Sequence, residues 1–420
     1  MKLNPPREPV LDRFLRYVEI DTRSEEDSET YPSTKKQWDL LNLLRDELHA
    51  LGVEDAAADQ YGYVTGTIPG NLPGDAKKVP VIGFIAHVDT SPAITGKGVK
   101  PVVHPNYQGG DIALPGDPSQ IIHAEEYPNL EKHYIGMDIV TSDGTTLLGA
   151  DDKAGVAEIM TAVDMLRENP DLAHGDIKIA FTPDEEIGQG TRYFDVKKFG
   201  ADFAYTMDGG PLGEIQFETF NAFGAVIRIE GVGVHPGYAK DKLVNAIRIL
   251  ADIISRMPRD TSPETTGGRE GYIHPYDFEG QSEEVKVKVL IRDFEMSGIE
   301  EKKRLLADIV HEVRGLYPKA HIDLEIKEQY LNMRYPIEKE PRLLEYAEEA
   351  VRRSGVEPLY TVVRGGTDGS RLTYMGLLTP NIFDGGEAFH SKIEWVPVQV
   401  MEKAVETLAN LANVWAEKEG

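Results

Sequence analysis

The sequence predicts an α/β chain in two parts: a large domain with a mixed, largely parallel sheet flanked by helices, and a smaller α+β domain inserted into it. Three observations predict this. In residues 1–214 short apolar runs alternate with amphipathic segments, the pattern of parallel strands covered by helices. In residues 215–328 apolar residues switch to strict alternation, which marks sheets with one wet face. In residues 329–420 the helix and strand alternation resumes, so the last segment returns to complete the first sheet.

The elements follow in order. Ser33 or Thr34 is placed to cap a helix with Leu40, Leu44 and Leu48 on its apolar face and Gly52 just past its end. GYVTGTI and VPVIGFIA read as strands, the second a buried one. Residues 91–133, rich in Pro, Gly, Asn and His, are irregular, and so long a loop inside a domain is often functional. DDKAGVAEIMTAVDMLRE reads as a helix, and DIKIAFT and DFAYTM as short strands. In the middle segment NAFGAVIRIEG is a strand and DKLVNAIRILADIISRM an amphipathic helix. EEVKVKVLIRDF alternates at Val285, Val287, Val289 and Ile291, EEKKRLLADIVHEVRGLY is a second helix, and AHIDLEIKEQY alternates at Ile322, Leu324 and Ile326. The order β-α-β-β-α-β is that of the split βαβ, or ferredoxin-like, sandwich.

Bulk properties exclude several classes. With 420 residues the chain exceeds one ordinary domain. A net charge of −26 disfavours nucleic acid and anionic membranes as partners. No apolar run has membrane-spanning length, and MKLNPPREPVLDRF lacks the apolar core of a signal peptide. With 0 cysteines there is no disulfide and no thiolate metal site, which fits a cytoplasmic location.

Chemistry collects at five places. His87 and Asp89 end a buried strand, and at i and i+2 they leave it on the same face. Asp151 and Asp152 precede a helix, Glu185 and Glu186 follow a strand, Asp208 follows another, and His390 lies in a late loop. Each has a plain alternative: a helix cap, a solvated loop, a turn residue, a hydrogen-bonded histidine. Taken together, they are predicted at the carboxyl edge of one open sheet, where α/β proteins bind ligands. Carboxylates gathered about 4 Å apart repel by about 4 kcal/mol per pair at an effective dielectric near 20. No matching set of Lys or Arg flanks the motifs; Lys153 stands closest, next to Asp152. Divalent metal is the economical neutraliser, and imidazoles with carboxylates suit Zn²⁺, with Co²⁺ or Mn²⁺ as substitutes. Two histidines and three acids match a pair of ions sharing one carboxylate, a clamp for a hydrolytic water and a substrate carbonyl.

On these motifs, with IAHVDTSP, GTTLLGADDKAGVAEIM, FTPDEEIGQG, YTMDGGPLGE, GVHPGYAKDKLVNAI, RGGTDGSRL and FDGGEAFHSKIEWV, the chain resembles the cocatalytic dinuclear zinc peptidases, the group of aminoacylases and succinyl-diaminopimelate desuccinylases. The resemblance is strongest to the tripeptide aminopeptidases of that group. It implies a zinc-peptidase-like catalytic domain in two pieces, 1–214 and 329–420, and a lid at 215–328. It implies one zinc on His87 and Asp208, another on Glu186 and His390, and Asp151 bridging them. Asp89 is implied to orient the His87 ring and Glu185 to be the general base. Glu185 and Glu186, read as extended chain, would point apart. A cis Asp151–Asp152 peptide is implied too. For substrate, the resemblance offers His235 near the carbonyl oxygen. Asn245, Arg292 and Arg364 are candidates for the peptide carboxylate, Arg292 with a surface salt bridge as its alternative. Gly365 and Gly366 could let the backbone approach substrate, or could form a plain turn. The implied partners are tripeptides and, through the lid, a second copy of the chain. The rival readings are a deacylase or carboxypeptidase with the same ions, and a peptide binder without turnover.

Overall fold

The structure is a computed structural model that describes residues 3–73 and 79–420. It divides into two compact units: residues 1–217, 335–361 and 367–420 form the first, and residues 218–334 with 362–366 the second.

In the first unit the apolar runs become a mixed sheet of eight strands. Their order across it is Ala57–Ala58, Val64–Ile68, Ile177–Thr182, Ile82–His87, Phe203–Thr206, Asn381–Ile382, Glu214–Thr219 and Leu359–Val363. The four from 177–182 to 381–382 run parallel to one another. The outer pairs 57–58 with 64–68, 64–68 with 177–182 and 214–219 with 381–382 are antiparallel. Strand 82–87 lies among the parallel four and is buried at every position, which explains why its sequence is continuously apolar. The helix Ala150–Glu168 packs on that strand, and the helices Val10–Val18 and Val398–Glu419 pack on it in turn. It is buried on nearly every side, so its hydrophobic face wraps most of the way round. The indoles of Trp395 and Trp415 fill this core.

The helix Gln37–Ala50 starts later than its sequence suggests. Its N-cap is Lys36, with no side-chain cap. Neither expected capping residue serves it: Thr34 Oγ1 donates to the Arg23 carbonyl at 2.8 Å, and Ser33 is engaged with Asp184. A tertiary partner outbid the local one.

The second unit is a four-stranded antiparallel sheet in the order Tyr272–Gly280, Glu284–Asp293, Asn221–Glu230, His321–Tyr330. The helices Ala246–Arg256 and Met296–Leu316 cover one face, meeting Ile227, Val287, Val289 and Ile291. Val287, Val289 and Ile291 are among the positions the alternation picks out. The strand 272–280 was not individually legible. It sits at an edge, carries Pro275 and breaks register between Pro275 and Asp277, so period two is lost there.

Candidate metal centre

Three parallel strands deliver the first residues. His87 is the last residue of 82–87 and lies in register with Thr182, the last of 177–182. The chain then turns so that Glu185–Ile187 forms one 3-10 turn. Asp208 follows 203–206 by two residues. Asp151 arrives differently. It stands at the start of the helix 150–168, after Gly149 at φ 86°, and itself has non-helical φ −79° and ψ 106°. The Asp151–Asp152 peptide is cis. His390 comes from the loop after 381–382 with a left-handed φ of 57°.

The five side chains meet. His87 Nε2 lies 2.9 Å from Asp151 Oδ1, and His390 Nε2 lies 3.1 Å from Asp151 Oδ2. Asp208 Oδ1 is 4.0 Å from His87 Nε2, and Glu186 Oε2 is 2.8 Å from His390 Nε2. Two triads result, His87–Asp151–Asp208 and Asp151–Glu186–His390, each with ligand atoms within 4.8 Å of one another. Asp151 belongs to both. These are two groups able to hold metal ions, sharing one carboxylate. The buried Glu186 Oε1 has no hydrogen-bond partner among the described residues, which leaves a lone pair for a cation.

The turn that carries the glutamates is not extended, contrary to the sequence reading. Both residues sit in the 3-10 turn, and Asp89 holds it: Oδ1 accepts Glu185 N–H at 2.9 Å and Oδ2 accepts Glu186 N–H at 3.2 Å. The same Oδ1 lies 3.4 Å from His87 Nδ1. Asp89 therefore touches both the ring and the turn.

Charge is out of balance here. Burial, then Asp208, pushes the Glu185 carboxyl well above its ordinary range. Burial, then Asp151, does the same to Asp208, and takes Glu186 to about 7. Hydrogen bonds to Asp151 and Glu186 push His390 up to about 11. Hydrogen bonds from His390 and His87 hold Asp151 low against its burial. A cluster that raises acids and imidazoles together is short of positive charge, and the oxygen and nitrogen donors fit divalent ions.

Residues 143–414 match the model of peptidase family M20/M25/M40. Peptidase T of Bacillus pumilus is 48% identical over 98% of this chain and 100% of that protein. Peptidase T of Caldanaerobacter subterraneus is 48% identical over 97% and 99%. This chain belongs to peptidase family M20/M25/M40, on its peptidase T branch. Its fold is that of the solved aminopeptidase PepT from Bacillus cereus, with TM-score 0.74 and 24% identity over 99% of both chains.

Sequence reasoning missed several residues of this peptidase's site. Glu394 accepts N–H groups from Leu148, Gly149 and Asp151 at 2.9, 2.7 and 3.1 Å, fixing the turn that presents Asp151. An isolated acid in a strand-like stretch gave no signal. Asp384 is buried beneath the centre, pushed up by burial; its FDGG repeats the MDGG around Asp208 and could have been noticed. Asp368, in RGGTDGSRL, is buried and accepts from Thr182 Oγ1 at 2.9 Å.

The four substrate candidates belong to the second unit. His235 is exposed, and its Nδ1 accepts Gly237 N–H at 3.1 Å. Asn245 caps the helix 246–256, accepting from Ile247 N and Arg248 N. Arg292 is buried and donates to the Phe223 and Ile291 carbonyls and to Gln329 Oε1, with no carboxylate among these partners. Arg364 donates to the carbonyls of Gly268 and Glu270 and lies over the Phe220 ring at 5.1 Å. Its neighbour Gly366 packs on Tyr330, where a Cβ would come within 2.8 Å of the ring.

Proposed function

We propose that this peptidase removes the N-terminal residue of tripeptides with two zinc ions, one on His87 and Asp208, one on Glu186 and His390, both on Asp151. The observation that carries the reading is the single Asp151 carboxylate shared between two imidazoles, with one further acid beside each. When bound, the ion pair would supply an acidified water and charge to polarise the scissile carbonyl. Glu185 takes the proton from the attacking water and returns it to the leaving amine. Asp89 keeps His87 oriented and the Glu185 turn in place. The partial burial of the carboxylates weakens the screening of their charge by bulk water.

The motif resemblance to tripeptide aminopeptidases supports tripeptides as substrates. Asn245, Arg292 and Arg364 are the proposed holders of the peptide carboxylate and His235 the donor to the carbonyl oxygen, in the same subunit or from a partner copy across a lid-mediated homodimer. Among the described residues no helix is long and apolar enough to cross a membrane, and cytoplasmic action is the proposed setting.

The test combines metal analysis with product identification. The purified chain should carry two zinc ions and release free alanine and Ala-Ala from Ala-Ala-Ala. N-acetylated Ala-Ala-Ala and N-acyl amino acids should resist. Cleavage of N-acyl amino acids without cleavage of the free tripeptide would replace this reading with a deacylase.

A further inference from the structure

We propose that Asp184, the residue before the two glutamates, is a positioning residue that clamps their turn to the N-terminal segment. The inference rests on the roles given above to Glu185 and Glu186.

Asp184 is fully buried and holds φ 60° and ψ 27°, a left-handed conformation that residues with a Cβ seldom adopt. Three donors converge on its carboxylate. Ser33 N–H reaches Oδ2 at 2.6 Å, and the Ser33 hydroxyl and Gln37 Nε2 both reach Oδ1. Its own N–H points back to Gln37 Oε1 at 3.3 Å. Just beyond, the phenols of Tyr31 and Tyr63 donate to the Gly190 carbonyl at 3.3 and 2.8 Å. The turn is thus gripped from one side by Asp89 through the amides of residues 185 and 186, and from the other by Ser33 and Gln37 through Asp184. Glycine would supply the backbone conformation more cheaply; only a carboxylate accepts all three donors. Asparagine tolerates the same φ but replaces one oxygen with an NH₂ that must face a donor.

D184N, D184G and S33A, each in the full metal-loaded chain, test the clamp. The readouts are kcat and KM for Ala-Ala-Ala, zinc stoichiometry across a free-zinc titration, and the thermal midpoint. In D184N and D184G kcat should fall by about 10–100-fold while KM moves by less than about threefold, and one of the two zinc ions should need more free zinc to bind. S33A should shift the same quantities in the same direction by less. Wild-type kcat and zinc affinity in D184G would mean that the backbone conformation alone matters, and would overturn the clamp. If both Asp184 variants fail to fold, S33A decides, and an unchanged S33A overturns it. Should the wild type cleave no tripeptide, the functional reading fails by itself. The zinc titration then still judges the clamp, with unaltered affinity in D184N counting against it.

Discussion

The Asp89 carboxylate accepts the backbone N–H of Glu185 at 2.9 Å through the same oxygen that faces His87 Nδ1. The buried Asp89 is thereby tied to a ligand ring and to the turn of the base at once. D89N keeps the shape but replaces one acceptor oxygen with a donor, so an amide of the turn loses its acceptor whichever oxygen is replaced, while His87 Nδ1 keeps the Asp89 backbone carbonyl at 3.1 Å. Zinc affinity or kcat/KM should drop by about 10–100-fold, the usual cost of disturbing a group that orients ligands. Loss of neither, measured by zinc titration and tripeptide kinetics, would remove Asp89 from the mechanism.

Glu185 makes no side-chain hydrogen bond among the described residues, although burial pushes its carboxyl well up. A group free of structural partners and beside both triads is available to carry a proton. E185Q should retain both zinc ions and lose about 10²–10⁴-fold in kcat. Zinc counted in the same preparation separates a lost base from a lost ion.

Chelation should cost stability as well as activity. The triads place Asp151, Glu186 and Asp208 around two imidazoles, and repulsion among the acids returns when cations leave. For ligand held at 100 times its Kd, the native state gains about 2.7 kcal/mol. A chelator should therefore lower the thermal midpoint, and zinc should restore both the midpoint and turnover. A chelator-treated protein with an unmoved midpoint would argue against filled sites in the purified protein.

Glu158 gives a pH prediction. It is buried in the helix 150–168, and neither carboxylate oxygen has a partner among the described residues. Burial, then the charges of Asp384 and Asp152, pushes its carboxyl well above the usual value. Between the unfolded and the folded pKa the native state holds the extra proton, so stability falls as pH rises through that window. E158Q removes the titration. Its thermal midpoint relative to wild type should improve from pH 5 to pH 8; a constant difference would show that Glu158 does not titrate with folding.

Much of the centre could be read from the chain. His87 and Asp89 stand two apart at the end of a continuously apolar run, and Glu185, Glu186 and Asp208 each follow another. Strand periodicity is local physics, so it marks where a strand stops and which way side chains leave it. The alternation at Val285, Val287, Val289 and Ile291 located the buried face of the second sheet for the same reason. The same local reasoning failed at Ser33, which has a capping residue's chemistry but meets Asp184, 151 residues away. It failed for the glutamate turn too, where Asp89 winds the chain into a 3-10 turn.

The sequence by itself determined the stock of ligands and bases and the elements that carry them, because residue chemistry and short-range periodicity are written into neighbouring positions. Tertiary structure alone decided that Asp151 is shared by His87 and His390, 64 and 239 residues away along the chain. It also decided that Glu394 and Asp184 brace the turns that present the site. Those distances follow from strand order and loop closure across the whole fold, and contacts so far apart leave no periodic trace in the chain.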